Sequence, residues 1–248
     1  TLKIYFNNSC DFLPLREKLL DGENNNKLID KDKFYSLNQN VVGESSNSKI
    51  SRIVNLLNKK KIENLFVSAG ENVCWLLNIR GKDLPNSPVA NCRLILTKNK
   101  RLYFFSNKYK FLNIKKKLKK FKISFHEEKE FFEILYSINN KGDFCIDGQT
   151  CSIHNEELIN SKFKIKDRID PIYKFKSIKN KTEIKNMLNA HIEDGVALTK
   201  FLYWIKKSKI NKLTEKHVES KLESYRKKNK NYLYPSFNTI AGSGSNGA

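Results

Sequence analysis

The feature that most constrains the fold is an alternation of short apolar runs with amphipathic stretches, from about residue 43 to residue 165. Leu65–Val67 and Phe144–Ile146 are short apolar runs, whereas Ile50, Ile53 and Leu57 recur at three- and four-residue spacing. Short apolar runs between polar residues are typical of buried strands, and the wider spacing is typical of helices. The alternation predicts an α/β domain, with a sheet covered by helices on both faces.

One pair of predicted strands is antiparallel. Cys92–Leu96 and Leu102–Phe105 are joined by the turn Lys98–Lys100, a pattern typical of a hairpin. A sheet that contains both this hairpin and strands connected through helices must be mixed rather than wholly parallel. Further strands are predicted at Ile123–Phe125 and Phe163–Ile165.

The chain divides into three parts. Residues 1–40 are irregular and predicted to be a linker or a remnant of a preceding domain, residues 41–169 form the α/β domain, and residues 170–248 differ in character. In this last part Thr182 is expected to cap a long helix, and Thr214 a second one. Tyr234–Ile240 then predicts a strand that enters a glycine-rich loop.

The net charge of +21 raises the question of nucleic-acid binding. Lysine dominates this charge, while the arginine forks and interleaved aromatic residues typical of nucleic-acid readers are scarce. Abundant Lys, Asn and Ile are what AT-rich codons supply, so genome composition accounts for the charge. We therefore expect no nucleic-acid partner.

The five cysteines are scattered, and no pair has Cys-x-x-Cys spacing. They predict no metal site in this chain and are typical of reduced cysteines in a cytoplasmic protein. No apolar stretch approaches the roughly 20 residues that a membrane span needs, so no membrane partner is expected. Thr1–Phe6 lacks the features of a signal peptide and reads like the middle of a longer protein, so we expect a fragment cut at both ends.

Three segments in colinear order resemble the three-domain Xaa-Pro aminopeptidases (aminopeptidase P) of the creatinase/prolidase, or pita-bread, superfamily, peptidase family M24. They are Val42–Ser46, then Trp75–Val89 with its Trp-Leu-Leu-Asn-Ile-Arg-Gly-Lys-Asp motif, and finally Asp170–Ala248. The resemblance implies a creatinase N-terminal-like middle domain at 41–169. It also implies that residues 170–248 are the opening helices and first strand of a truncated pita-bread catalytic domain.

The resemblance also implies the activity of the full-length parent, a metal-dependent aminopeptidase acting on peptides whose second residue is proline. The family holds two metal ions, implied to be Mn²⁺, with two Asp, one His and two Glu that follow the matched region. We therefore expect neither a catalytic residue nor a bound metal in this fragment, and predict that it is inactive alone. His191, Glu193 and Asp194 occupy positions where the family has no ligands. A homodimer is also implied.

Three residues are candidates for substrate binding. Arg80 follows an apolar run and precedes Gly81, so its guanidinium is expected to emerge at a turn. There it suits either a substrate carboxylate or carbonyl, or a structural salt bridge, between domains or subunits, to Asp83 or another acid. The resemblance places Phe237 and Thr239 beside the catalytic cavity, where Phe237 is either an apolar wall for a proline ring or a core aromatic.

A second class of function remains open. Pita-bread domains without activity serve as binding or dimerisation modules, and a strongly basic surface would then attract an acidic partner. The two hypotheses differ in whether the metal ligands follow in the coding sequence.

Overall fold

The computed structural model describes residues 32–139, 142–209 and 213–247. Residues 1–31 of the predicted linker or domain remnant at 1–40, including Cys10, therefore lie outside the described residues. The strands of the described part are Tyr35–Ser36 (β1), Asn64–Val67 (β2), Ile79–Arg80 (β3), Arg93–Thr97 (β4), Leu102–Phe105 (β5), Ile123–His126 (β6), Phe144–Ile146 (β7) and Ile165–Asp167 (β8). Its α-helices are Gln39–Val42 (α1), Ser46–Lys59 (α2), Gly70–Leu77 (α3), Lys108–Leu118 (α4), Phe131–Ser137 (α5), Ile153–Asn160 (α6), Pro171–Ser177 (α7), Lys181–Lys207 (α8) and Glu215–Arg226 (α9).

The main sheet is mixed, which confirms the predicted fold class. Its strand order is β6-β5-β4-β2-β7-β8. Strands β4 and β5 form the predicted antiparallel hairpin and β4 also pairs antiparallel with β2, whereas β5–β6, β2–β7 and β7–β8 are parallel pairs. The parallel pairs follow from the intervening helices, because a chain that crosses the sheet through a helix returns in the same direction.

Two apolar clusters occupy the two faces of the sheet. Alternate residues of a strand point to opposite faces, so Leu65 and Val67 join one cluster while Phe66 joins the other. Helices α2, α3 and α4 contribute to the first cluster, and α5 and α6 to the second. This two-sided burial explains why β2 is fully buried and why its residues Leu65–Val67 form an unbroken apolar run.

Residues 34–36, which precede the predicted domain boundary at residue 41, pack on this domain. Phe34 is fully buried, and β1 pairs antiparallel with β3, bringing Tyr35 opposite Arg80. The partner strand β3 therefore has its backbone held on one side immediately before the Gly81 turn.

The cap of the long helix α8 lies two residues before the predicted one. Asn180, not Thr182, is the N-cap: its Oδ1 accepts from the backbone N–H of Thr182 (2.9 Å) and Glu183 (3.0 Å), and Glu183 completes a capping box. The Nδ2 group of Asn180 also donates to the carbonyl of Val42 at 2.8 Å, which ties α8 to the end of α1. Thr214 caps α9 as predicted.

Two strand predictions need correction. The strand expected at Phe163–Ile165 is displaced to β8, and no strand forms at Tyr234–Ile240, where the described backbone is irregular. A strand needs a hydrogen-bonding neighbour, and among the described residues none lies beside this segment. The apolar stripe of α8 is likewise left exposed, including Met187, Ile192 and Leu202.

Candidate functional site

Arg80 projects from a tightly held turn. Helix α3 ends at Asn78, which has the left-handed conformation (φ 54°, ψ 42°) that stops a helix and redirects the chain. The guanidinium NH1 of Arg80 donates to the carbonyls of Ile79 (2.8 Å) and Cys74 (3.4 Å), so the cation lies at the negative end of α3. The sequence predicts an arginine that emerges at a turn; the structure places Arg80 in the two-residue strand β3, between the left-handed Asn78 and Gly81, with its side chain half-buried.

The expected ion pair between Arg80 and Asp83 is not the one that forms. Asp83 is bound instead by the ammonium of Lys110 and by the backbone N–H of Asn91 at 2.6 Å. Both members of the Lys110–Asp83 pair are largely buried, so this pair fixes the loop after Arg80 against α4. The guanidinium of Arg80 instead binds the carbonyls at the C-terminal end of α3.

A cleft of about 260 Å³ opens beside Arg80. It lies where α3 and the loop after β3 face α7 and the start of α8, and it carries charges of both signs. Its lining residues are Glu71, Cys74, Trp75, Arg80, Pro88, Val89, Lys176, Lys179 and Glu183.

One wall of the cleft is organised by polar contacts between α3 and α7. The hydroxyl of Tyr173 donates to Glu71 Oε1 at 2.8 Å, and burial together with this carboxylate raises the pKa of Tyr173 to about 12. The ammonium of Lys176 donates to Asn72 Oδ1 at 2.6 Å, and burial lowers the pKa of Lys176. These contacts hold the carboxylate of Glu71 and the ammonium of Lys176 in the lining of the same cleft.

The start of α7 is anchored by a buried carboxylate. Asp170 is 2% exposed; its Oδ2 accepts from Asn72 Nδ2 at 2.9 Å, and its Oδ1 caps α7 by accepting from Ile172 N–H at 2.8 Å. Burial raises the pKa of Asp170 to about 6, although both hydrogen bonds oppose the shift. The backbone N–H of Asp170 in turn donates to the buried Asp147 at 2.9 Å.

Lys49 lies behind the cleft and was missed by the sequence analysis. Only 1% of this residue is exposed; its ammonium donates to Asn78 Oδ1 (2.7 Å) and to the Trp75 carbonyl (3.0 Å), and lies 4.2 Å from the centre of the Trp75 ring. Burial lowers its pKa to about 8, while Glu183 and Glu44 act in the opposite direction. One signal was available: Lys49 precedes Ile53 by four residues, on the buried face of α2.

The other two predicted substrate-binding residues lie elsewhere. Phe237 is 68% exposed and Thr239 is also exposed, and neither lines the Arg80 cleft. Their neighbour Asn238 accepts a hydrogen bond of 3.1 Å from Asn86, in the loop that follows Arg80. The structure therefore brings the segment of Phe237 and Thr239 to the Arg80 loop but does not place their side chains with Arg80 in one cleft.

The charged residues near the middle of α8 have structural partners. Arg226 of α9 binds Asp194 through two hydrogen bonds, of 2.6 and 3.1 Å, and Asn229 binds Glu193. Within the described ranges, no three His, Cys, Asp or Glu side chains come together in a way that fits a metal ion. No metal is therefore assigned to these residues, and no chemical step is derived from one. None of the described helices combines the length and apolarity needed to cross a membrane.

Comparison with known proteins identifies the architecture. Residues 26–183 match the creatinase/prolidase N-terminal domain, and residues 185–248 match the metallopeptidase family M24. An N-terminal α/β domain joined to an M24 segment defines the class. The chain belongs to the creatinase/prolidase N-terminal domain family.

Curated relatives and one solved structure illustrate the match. The chain is 32% identical over 221 residues to a probable Xaa-Pro aminopeptidase P of Paracoccidioides brasiliensis, covering 83% of this chain and 36% of the relative. It is 30% identical over 262 residues to Xaa-Pro aminopeptidase 1 of Dictyostelium discoideum, covering 95% of this chain and 41% of that protein. The chain thus spans well under half the length of these relatives.

The crystal structure of X-prolyl aminopeptidase from Caenorhabditis elegans, described as a cytosolic enzyme with a di-nuclear active site, superposes with a TM-score of 0.74 at 22% identity. That match covers 84% of this chain and 35% of the nematode protein, and it shows a shared fold.

Proposed function

We propose that this chain is part of a metal-dependent Xaa-Pro aminopeptidase, an enzyme that releases the N-terminal residue from peptides with proline in second position. The observation that carries the proposal is the order of two matches in one chain, the creatinase/prolidase N-terminal domain at 26–183 and M24 at 185–248. The relatives that align with this chain at 32% and 30% identity are named Xaa-Pro aminopeptidases.

The metal chemistry belongs to residues outside those described. We propose two metal ions, with manganese as the metal, held by residues that follow the matched region. A pair of metal ions polarises the scissile carbonyl and supplies the attacking hydroxide in metallopeptidases. The described residues contribute the N-terminal domain and the first part of the M24 domain. We also propose that the protein is a cytoplasmic homodimer.

Arg80 is proposed as a substrate-binding residue because its guanidinium lies in an open, charged cleft. NH1 is held by two carbonyls, so the fork is fixed in place before any ligand arrives. A fixed arginine fork binds a carboxylate with two parallel hydrogen bonds.

Phe237 and Thr239 are proposed to contact the proline side of the substrate. An exposed phenyl ring offers an apolar surface that matches a pyrrolidine ring, and 68% of Phe237 is exposed here. Replacing Phe237 by Ala in the complete protein should therefore reduce the preference for proline over alanine in second position, with little effect on thermal stability. An unchanged preference would remove Phe237 from the substrate site.

The alternative is a binding or dimerisation module without activity. The coding sequence after Ala248 distinguishes this alternative from an aminopeptidase. For the aminopeptidase, we expect this sequence to continue through a short apolar pair into His-Tyr, followed by two Asp, one His and two Glu in family order. Replacement of those ligands by other residues would exclude catalysis and support the binding module.

A further inference from the structure

Two buried thiols, neither used in the proposed activity, lie on either side of Ala90. The Sγ atom of Cys74 accepts a hydrogen bond from Ala90 N–H at 3.3 Å, and the Sγ atom of Cys92 donates to the Ala90 carbonyl at 3.4 Å. Cys74 lies in α3, and Cys92 directly precedes β4. The two cysteines are 18 positions apart and form no motif in the sequence, but the fold brings both thiols next to the same residue, Ala90.

The two thiols differ in acidity in a way that suits disulfide chemistry. The neighbouring Cys92 thiol and the hydrogen bond from Ala90 N–H lower the pKa of Cys74, with help from Arg80, although burial opposes them. Burial raises the pKa of Cys92, and the neighbouring Cys74 adds to this shift. A more acidic thiol next to a protonated one provides a nucleophile and a resolving partner.

Access favours the same cysteine. Cys74 is only 2% exposed but is one of the residues that line the Arg80 cleft, whereas Cys92 is not, so a molecule as small as a peroxide that enters the cleft would meet Cys74 first. Cys145 is also buried but lies on β7 and does not line this cleft, and burial raises its pKa to about 11. Cys145 is therefore a matched control for a buried thiol that does not line the Arg80 cleft.

We propose that Cys74 and Cys92 form a redox-active dithiol that closes a reversible disulfide when hydrogen peroxide enters the Arg80 cleft. The Cys74 thiolate attacks one peroxide oxygen, the O–O bond breaks, and Cys74 becomes a sulfenic acid as one water leaves after protonation. The Cys92 sulfur then attacks the sulfenic sulfur and loses its proton, and a second water leaves. In total, two thiols and one hydrogen peroxide give one disulfide and two water molecules.

The disulfide would act on the cleft itself. The loop that it closes runs from Cys74 to Cys92 and includes Arg80, Pro88 and Val89, three residues of the cleft lining. A covalent bond between α3 and the start of β4 restrains this loop, because cross-linking removes conformational freedom from the enclosed segment. Oxidation therefore changes how freely the Arg80 wall adapts to a ligand.

Trypsin separates the relevant cysteines, which makes the test direct. Cleavage after Lys and Arg gives Ile62–Arg80 with Cys74 alone, Asp83–Arg93 with Cys92 alone, and Gly142–Lys162 with Cys145 and Cys151. The purified protein is treated with hydrogen peroxide, its remaining thiols are alkylated, and the digest is analysed by mass spectrometry before and after reduction with dithiothreitol.

The expected result is a linked peptide of Ile62–Arg80 and Asp83–Arg93, with a mass about 2 Da below the sum of the two. Dithiothreitol should remove it, and Cys145→Ser should leave its yield unchanged. Full alkylation of both cysteines in the oxidised wild-type protein would overturn the proposal, as would conversion of each to sulfinic acid without the linked peptide. The decisive comparison uses wild type and Cys145→Ser, so it does not depend on the folding of Cys74 or Cys92 variants.

Discussion

The ammonium group of Lys49 donates a hydrogen bond of 2.7 Å to Oδ1 of Asn78, the residue that ends helix α3 in a left-handed conformation. A buried cation thus stabilises the turn from which Arg80 projects two residues later. The same ammonium binds the Trp75 carbonyl, at the end of α3 where a positive charge is favoured. The position of Arg80 therefore depends on a side chain from a different helix.

Replacing Lys49 by Met should lower the free energy of unfolding by about 1–2 kcal/mol at pH 7, because two buried carbonyl groups lose their donor. Relief from burying a charge offsets part of this cost. Urea unfolding of both proteins measures the difference. Lys59→Met, at an exposed position of the same helix, is the control and should stay within about 0.5 kcal/mol of wild type. Equal stability of all three proteins would contradict a structural role for the Lys49 ammonium.

The lowered pKa of Lys49 predicts a pH dependence of this stability difference. With a pKa of about 8 in the folded state against 10.5 when unfolded, the unfolded chain binds more protons between these values. Stability from this group therefore rises with pH in that window, and the advantage of wild type over Lys49→Met should grow by about 2 kcal/mol from pH 7 to pH 10. A constant difference across this range would show that the pKa of Lys49 is not lowered.

Gly43 should not tolerate a side chain. It has a φ of +71° at the end of α1, and a Cβ atom there would lie 2.7 Å from Cβ of Thr182 and closer still to Oδ1 of Asn180, which caps α8. Gly43→Ala is expected to lower the free energy of unfolding by about 2 kcal/mol, through backbone strain and displacement of the cap.

The matched control is Gly195→Ala in the middle of α8, where a Cβ atom meets nothing within 4 Å. Here alanine should stabilise by about 0.5–1 kcal/mol, since glycine is the poorer helix former. Thermal unfolding of the two variants should thus shift in opposite directions. A neutral Gly43→Ala variant would mean that the junction of α1 and α8 adapts freely.

The raised pKa of Asp170 predicts the opposite trend to that of Lys49. Its pKa is about 6 in the folded protein and 3.8 as an isolated group, so the folded state binds more protons between these values and stability falls as pH rises. The stability of wild type relative to Asp170→Asn should decrease by about 1 kcal/mol from pH 5 to pH 7. Asn retains the cap on α7 through its own side-chain oxygen. A relative stability that rises over this range would contradict burial as the dominant cause.

The sequence predicts the sheet well and the cleft poorly, for a physical reason. Strands such as β2, β4 and β5 carry continuous apolar runs, because both faces of the sheet are covered, and the hairpin turn lies between two of them. These signals are local. The cap of α8 shows that local signals also have a limit, because both Asn180 and Thr182 have side chains that can cap a helix. Asn180 is the residue that caps it, and its side chain also donates a hydrogen bond to the carbonyl of Val42, far away in the chain.

The features missed depend on residues far apart in the chain. Lys49 lies behind the cleft because its ammonium donates hydrogen bonds to Asn78 and Trp75, and Cys74 and Cys92 meet beside Ala90. The strand predicted at Tyr234–Ile240 is wrong for a similar reason, since apolar residues specify a strand only where a neighbouring strand can pair.

The proposed role of Arg80 is tested in the complete protein by Arg80→Lys. A lysine keeps the charge but cannot donate two parallel hydrogen bonds to a carboxylate, so KM for a short Xaa-Pro peptide should rise about tenfold. Arg101→Lys, at an exposed position in the hairpin, should leave KM unchanged. If Arg80→Lys lowers the melting temperature but leaves KM at the wild-type value, Arg80 is a structural residue only.

The most direct test of the central claim is an aminopeptidase assay of the protein encoded by the complete reading frame that contains this chain. The protein is loaded with Mn²⁺ and given the tripeptides Arg-Pro-Pro and Arg-Ala-Pro, with release of free arginine as the readout. We predict release from Arg-Pro-Pro at least tenfold faster than from Arg-Ala-Pro, and loss of activity in the presence of a chelator. No release of arginine from either peptide by the folded, metal-loaded protein would contradict the proposed function.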